Sequence, residues 1–390
     1  MVPKGWNSWI LSDICRKQIS YGIVQTGDNL PNGIPCLRVV DLTRDVMRLE
    51  DMIKTSEETN KAYRKTILEK DEIVMALRGE IGLARLIDDN LVGANITRGL
   101  ARISPETKVV LPEFLLWELR SPQFRADLIR RVGGSALQEI SLTELRKVRT
   151  LLPPLLEQKK IAQILSTWDK AISVTEKLLA NSQQQKKALM QQLLTGQKRL
   201  LDENGVRFSG EWVYLTFDNA FIVANKKSTQ VKSSDYLQSG SIPIIDQGQS
   251  RIAGYCNNLE VYSDVPVIVF GDHTRCVKWI EFVFCPGADG TQVIKTSKIL
   301  EPKLGYYLLS NTDIPNLGYS RHMRELKEKD FRLPLDIKEQ QKIAAVLSAA
   351  DAEISTLEKK LACLRDEKKA LMQQLLTGKR RVKVDEAVAE

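Results

Sequence analysis

ALMQQLLTG stands at residues 188–196 and again at 370–378, nine identical residues 182 positions apart. The match widens upstream, where LLEQKKIAQILSTWDKAISVTEKLLA (155–180) aligns without a gap to IKEQQKIAAVLSAADAEISTLEKKLA (337–362). Glu157, Gln158, Ile161 and Asp169 meet Glu339, Gln340, Ile343 and Asp351 in that alignment. A proline-containing entry precedes each copy (LLPPL, 151–155; RLPLDI, 332–337), and a basic cluster follows each LLTG (GQKR, GKRR).

Inside the repeat the apolar spacing is helical. Steps of four and three run through Ile343, Leu347, Ala350, Ile354, Leu357, Leu361, Leu364, Lys368, Leu371 and Leu375, a heptad seam with one polar interruption. The first copy runs through Ile161, Leu165, Trp168, Ile172, Thr175, Leu179, Ser182, Lys186, Leu189 and Leu193, with three interruptions. Proline before and glycine after each run are start and stop signals. They predict two helices of about 38 residues, about 57 Å each at ~1.5 Å per residue. An apolar stripe of that length needs a partner helix, and the other copy supplies one.

The segments before and between the helices mix strand-like runs with short helical ones. PCLRVVDL (35–42), DEIVMAL (71–77), LARISP (100–105), IPIID (242–246) and VPVIVF (265–270) read as strands. PEFLLWELR (112–120) and LGYYLLS (304–310) read as helices, and each segment opens on a tryptophan-led strand, GWNSWILSDI or GEWVYLTFDNA. The expected fold is α+β: two mixed globules separated by two long antiparallel coiled-coil helices, with an internal pseudo-two-fold repeat. The expected boundaries are a first globule at 1–152, a helical region at 153–196, a second globule at 197–332, a second helical region at 333–378 and a flexible tail at 379–390.

The net charge of +8 permits a polyanionic partner, and its distribution restrains that reading. Residues 1–150 carry 23 basic and 20 acidic side chains, and residues 201–332 carry 15 and 16, so neither globule is a basic block. The six cysteines form no C-x-x-C pair and there are two histidines, which argues against a metal site and a disulfide framework. No apolar run is long enough to span a membrane and the start has no signal-peptide core, so the expected location is cytoplasmic.

Catalytic signatures are missing as a group. There is no G-x-x-x-x-G-K-[ST], no G-x-G-x-x-G, and no Asn- or Asp-Pro-Pro-aromatic run of the kind an adenine aminomethylase carries. His273 and His322 have no nucleophile motif beside them. The residues therefore describe a binding protein without catalytic residues or a cofactor. Glycine-rich loops with polar tips are the candidates for contact with nucleic acid: glycine lets backbone approach a ligand, and Arg, Asn, Gln, Thr and Ser suit base edges and phosphates. In the first globule these are ALRGEIGLA with Arg78, GANITRGLA with Asn95, Thr97 and Arg98, and VGGSALQEIS with Ser135. In the second they are IDQGQSRIAGY with Gln247, Gln249 and Arg251, FGDHTRC with His273, Thr274 and Arg275, PGADGTQ with Thr291 and Gln292, and GYSRHMR with Arg321 and His322.

The order of parts resembles the DNA-specificity subunit of a type I restriction-modification system. LPPLLEQKKIAQILSTWDKAI with KKALMQQLLTG, repeated as LPLDIKEQQKIAAVLSAADAEI with KKALMQQLLTG, carries most of the resemblance. YGIVQTGDNLPNGIPCLRVVDL, YRKTILEKDEIVMALRGEIGLA, IPIIDQGQSRIAGYCN and VIVFGDHTRCVKWIEFVFCPGADGTQ support it. The resemblance implies two target-recognition domains that read the halves of a bipartite, asymmetric site in double-stranded DNA, held apart by the paired helices. It also implies two docked methyltransferase subunits that carry S-adenosylmethionine and methylate adenine N6, with two restriction/translocase subunits able to join. The residues alone leave a different reading open, an adaptor whose coiled coil joins two ligand-binding globules with no role on DNA.

Overall fold

The computed structural model describes residues 2–133, 138–316, 318 and 320–384. They fall into two compact units, residues 1–175 with 360–390, and residues 176–359. The division cuts through the middle of both long helices, so each unit is a globule together with half of each helix.

The strands of the first unit are β1 (Asn7–Ile10), β2 (Cys15–Tyr21), β3 (Ile34–Leu37), β4 (Ile53–Thr55), β5 (Ile73–Ala76), β6 (Ala84–Leu86), β7 (Asn95–Ile96), β8 (Leu100–Pro105) and β9 (Arg149–Leu152). Those of the second are β10 (Trp212–Thr216), β11 (Phe221–Val223), β12 (Ile242–Ile245), β13 (Gly254–Cys256), β14 (Val267–Gly271), β15 (Val277–Ile280), β16 (Cys285–Pro286), β17 (Thr291–Thr296) and β18 (Asp330–Pro334). The helices are α1 (Val39–Leu42), α2 (Glu57–Ala62), α3 (Pro112–Leu119), α4 (Pro122–Arg130), α5 (Leu142–Arg146), α6 (Leu155–Leu194), α7 (Phe217–Ala220), α8 (Pro302–Ser310), α9 (Met323–Lys327) and α10 (Ile337–Leu375).

The second unit repeats the first strand for strand. A four-stranded sheet β2-β8-β5-β6 has its counterpart in β11-β17-β14-β15, a three-stranded β4-β3-β7 in β13-β12-β16, and the pair β1-β9 in β10-β18. Burial explains the sequence of the interior strands. IVMA of β5 and VIVFG of β14 are buried at every position, which suits unbroken apolar runs rather than alternation. Proline at the first turn starts both α3 and α8, where its missing N–H costs nothing. PCLRVVDL departs from the strand expected there: its first half is β3, and Asp41 takes the backbone N–H of Arg38 at 2.8 Å to turn the second half into α1.

Within each unit the long helices pair antiparallel, the start of one against the end of the other. In the first unit Ile161, Ala162 and Leu165 share a core with Leu375 and Leu376, flanked by Leu371 and Met372. In the second Ile343, Ala344 and Leu347 share a core with Leu193 and Leu194, flanked by Leu189 and Met190. The remaining seam positions, Trp168, Ile172, Leu179, Ile354, Leu357 and Leu361, are buried or half-buried. The polar interruptions are partnered. Lys368 meets the Asp169 carboxylate with the Trp117 ring centroid 4.7 Å away; Lys186 meets Asp351 at 2.5 Å with the Tyr307 ring at 5.7 Å. Ser182 donates to Glu353 at 3.1 Å, and the Thr175 hydroxyl turns back to Ala171 O at 2.8 Å.

The repeated termini of the helices now have a physical reason. Gly196 and Gly378 take φ of +72° and +65°, a conformation cheap only for glycine, and end the helices. The next turn closes with Lys198 N–H on Gln192 O and Arg380 N–H on Gln374 O. That geometry carries Arg199 back to Glu339 (Nη2–Oε2 2.7 Å) and Arg381 back to Glu157 (Nη2–Oε2 2.7 Å). Arg381 lies over Trp6 and Arg199 over Trp212, so the leading tryptophans belong to the same clasp. Gln158 accepts from Leu111 N–H and donates to Val109 O and Pro153 O; Gln340 accepts from Glu301 N–H and donates to Ile299 O and Pro334 O. Those bonds account for the EQ dipeptide in both copies. The tail expected to be flexible is corrected in its first part: Arg381 is ion-paired and Val382 packs on the first core, because Glu157 is buried and needs a counter-ion. Residues 385–390 of that tail lie outside the described residues.

The equivalence of the clasps can be measured. Arg381→Ala is expected to weaken the first unit by about 1–3 kcal/mol, and Arg199→Ala the second by a similar amount, because each strands a buried carboxylate. Hydrogen-exchange protection read separately in β5 and in β14 is the check, with each loss confined to its own unit.

Candidate nucleic-acid interface

Three chain segments run parallel in the first globule. Ile23 bridges Thr97, and β3 pairs with β7 through Cys36–Asn95 and Leu37–Ile96. The loops that leave them share one corner, the kind of place where ligands meet parallel strands. Such close parallel approach needs glycine at position 22, where a Cβ would stand 1.8 Å from Ile96 O. Beside it is the turn between β5 and β6: Leu77 N–H donates to Gly99 O at 2.8 Å, and a Cβ on Gly99 would lie 3.1 Å from the Arg78 Nε. Arg78 and Arg98 are exposed, as are Tyr21, Val24 and Val40. Arg38 is spent locally, its guanidinium on Asp41 at 3.1 and 3.0 Å.

The second globule builds the same corner from different side chains. Val231 bridges Gly287, and β12 pairs with β16 through Ile244–Cys285 and Ile245–Pro286. The turn between β14 and β15 packs across the loop end at Gln247. His273 N–H donates to Gln247 Oε1 at 3.1 Å, Thr274 Oγ1 donates to Gln247 O at 2.5 Å, and Asp272 N–H donates to Gly290 O at 2.7 Å. Lys278, nearly buried, donates to Asp246 O and Ser250 O at 2.7 and 2.6 Å, and burial pushes its ammonium below the usual lysine range. Gln249 and Arg251 remain on the outside, Arg251 over the Phe282 ring at 5.5 Å.

The loop residues named from the sequence thus differ in exposure. Arg78, Arg98, Gln249, Arg251 and Arg321 are exposed; Thr97, Gln247, His273, Thr274 and Gln292 are half-buried. Three are corrected to interior positions. Asn95 is fully buried, bonding Thr66, Asn60 and Tyr63; Thr291 is buried with its hydroxyl on Asp289 O; His322 is buried with Nδ1 2.8 Å from Asp272 O. In each case a strand end or helix start left backbone groups to satisfy, and the polar side chain serves them. Arg275 is corrected too: at φ +61° its guanidinium donates to Ile314 O at 2.8 Å, bracing a neighbouring loop. Gln292 accepts from Asn225 at 2.6 Å. Ser135 lies outside the described residues.

Asp272 and Lys278 escaped the sequence reading. Asp272 receives the Met323 and His322 backbone N–H groups and holds α9 to the corner. A buried Lys on a strand shows no periodic signal that separates it from an exposed one. Tyr21 and Val24 were present in the quoted YGIVQTG run, but their exposure depends on the parallel bridge at Ile23.

Because Arg275 braces while Arg78 and Gln249 do not, their removal is expected to differ in stability. Arg275→Ala costs about 1 kcal/mol by losing a partly buried bond, and Arg78→Ala or Gln249→Ala stays within about 0.5 kcal/mol. Chemical denaturation followed by fluorescence of the purified chain is the measurement.

Residues 3–181 match the profile of the type I restriction modification DNA specificity domain. The chain is 26% identical over 415 aligned positions to the putative type I restriction enzyme MjaX specificity subunit of Methanocaldococcus jannaschii, covering 98% of this chain and 95% of that one. It is 32% identical over 165 residues to the type I restriction enzyme EcoBI specificity subunit of Escherichia coli, a match that covers 42% of this chain and about a third (35%) of the relative's length. In fold it is similar to the crystal structure of a type I restriction-modification system S subunit from M. genitalium, with a TM-score of 0.63, 15% identity and 96% of each chain covered. The duplicated unit, the repeated helix ends and these likenesses point the same way: the chain is similar to the DNA-specificity subunits of type I restriction-modification systems, by profile over residues 3–181 and in fold over nearly its whole length.

Proposed function

We propose that this chain reads a bipartite, asymmetric site in double-stranded DNA, one half with each globule, and performs no chemistry itself. It places two adenine-N6 methyltransferase subunits, which bring S-adenosylmethionine, on that site, and two restriction/translocase subunits can join them. The single observation that carries this reading is the loop corner built twice on the same strand framework with different side chains in each copy. One framework supplies the position, and changeable loops supply two unlike half-sites. No described helix is long and apolar enough to cross a membrane.

The modest charge of each globule fits a subunit that reads base edges while its partners supply most phosphate contacts. The first corner offers arginines, Arg78 and Arg98, whose forked donors match guanine; the second offers the Gln249 amide, which matches adenine. Gln247, Thr97 and Thr274 stand behind these as shape-setting neighbours. The exposed pairs Gln191-Gln192 and Gln373-Gln374 sit at equivalent positions of both helices, as two copies of one partner would require.

Arg78→Ala is expected to relax one half-site by about 1–3 kcal/mol and leave the other unchanged, with Gln249→Ala acting on the opposite half alone. Selection from randomised DNA by the chain with its methyltransferase reads this directly. Loss spread equally over both halves would reject independent reading.

A further inference from the structure

A cavity of about 290 Å³ opens beside the C-terminal end of α3 in the first unit, bordered by Ser8, Glu118, Gln123, Asp127, Arg131 and Arg149. Glu118 is 5% exposed; its Oε1 accepts the Leu151 N–H at 3.2 Å, and its Oε2 is buried with no hydrogen-bond partner among the described residues. A buried carboxyl oxygen left unmet is costly, and the last turn of a helix makes a negative charge there less welcome still. The charged neighbours do not relieve it. Arg131 is held by Asp127 at 3.2 Å and Glu144 at 3.1 Å, and among the described residues Arg149 reaches only the Ser8 hydroxyl, at 3.5 Å.

The second unit has a matching cavity, of about 280 Å³, against the end of α8 and β18. There Leu308 stands where α3 has Glu118, and Asp330 and Phe331 stand where β9 has Arg149 and Thr150. Leucine therefore builds this part of the fold without difficulty, and the acid in the first unit is not there for packing.

We propose that the first unit's cavity binds an organic cation, a guanidinium or primary ammonium head, with Glu118 as its anionic partner. The cation supplies the donor that Oε2 lacks and sits at the helix end where positive charge is favoured. Without it, burial pushes the Glu118 carboxyl up to about 8, so an arriving cation expels a proton at neutral pH and binds more tightly as pH rises toward that value. The cation has two sources, a free alkylamine or alkylguanidine and an arginine or lysine side chain of a docked protein.

Titration calorimetry on the full chain distinguishes them, with agmatine as the free cation and a capped Gly-Arg-Gly peptide as the side chain. The wild type is expected to bind one equivalent with release of a proton, and Glu118→Gln, which keeps shape and removes charge, to weaken binding about tenfold or more. Binding of the peptide without agmatine assigns the site to a protein partner, and binding of both assigns it to free cations as well. No binding of either probe, or undiminished binding by the folded Glu118→Gln chain, overturns the proposal. DNA reading does not enter this test, so either idea can fail without the other.

Discussion

The apolar seam of a 40-residue helix has to be covered, and in this chain the covering is reciprocal. The start of each long helix finishes the core of one unit, and its end finishes the core of the other. Ile161 and Leu165 need Leu375 and Leu376; Ile343 and Leu347 need Leu193 and Leu194. Removing such a side chain would cost about 2–5 kcal/mol at that contact, so neither unit is complete without residues far away in sequence. The ionic clasps Glu157–Arg381 and Glu339–Arg199 then select the register, since a slipped pair would leave a carboxylate buried alone.

That requirement explains what the duplicated nonamer is for. Its leucines close a core, its glycine ends the helix in a left-handed turn, and the basic residues just beyond reach back to the buried glutamate. Lys186 and Lys368, polar residues on an apolar seam, are held by an aspartate and faced by an aromatic ring from the adjoining globule. Once the packing is accounted for, the glutamine pairs, with Ala188 and Ala370, remain exposed, and the glutamines are the polar ones.

Much of this was legible because helices write their contacts locally. The seam from Ile161 to Leu193 and from Ile343 to Leu375 is a periodic signal, and the strand runs at 71–77, 100–105 and 265–270 are short apolar blocks. The corners were less legible. Asn95, Thr291 and His322 have side chains that look suited to a ligand, but whether they face solvent or an unpaired backbone group depends on pairings between distant segments. Arg78 and Gln249 stayed exposed because their loops turn away from those pairings. The likeness of the two globules was legible in outline, from the repeat and the tryptophan-led openings, while its strand-for-strand detail was hidden, since strand order is kept and the side chains that decorate it are not.

On the proposed function, one demand stands above the others: methylation by the partner must follow this chain, and in two parts. Genome-wide mapping of methylated adenines in cells with and without this chain tests that most directly. The account predicts one chain-dependent motif made of two specified halves around an unspecified gap, with a methylated adenine in each half. Methylation that is unchanged by removing the chain, or that falls on one uninterrupted motif, would contradict it.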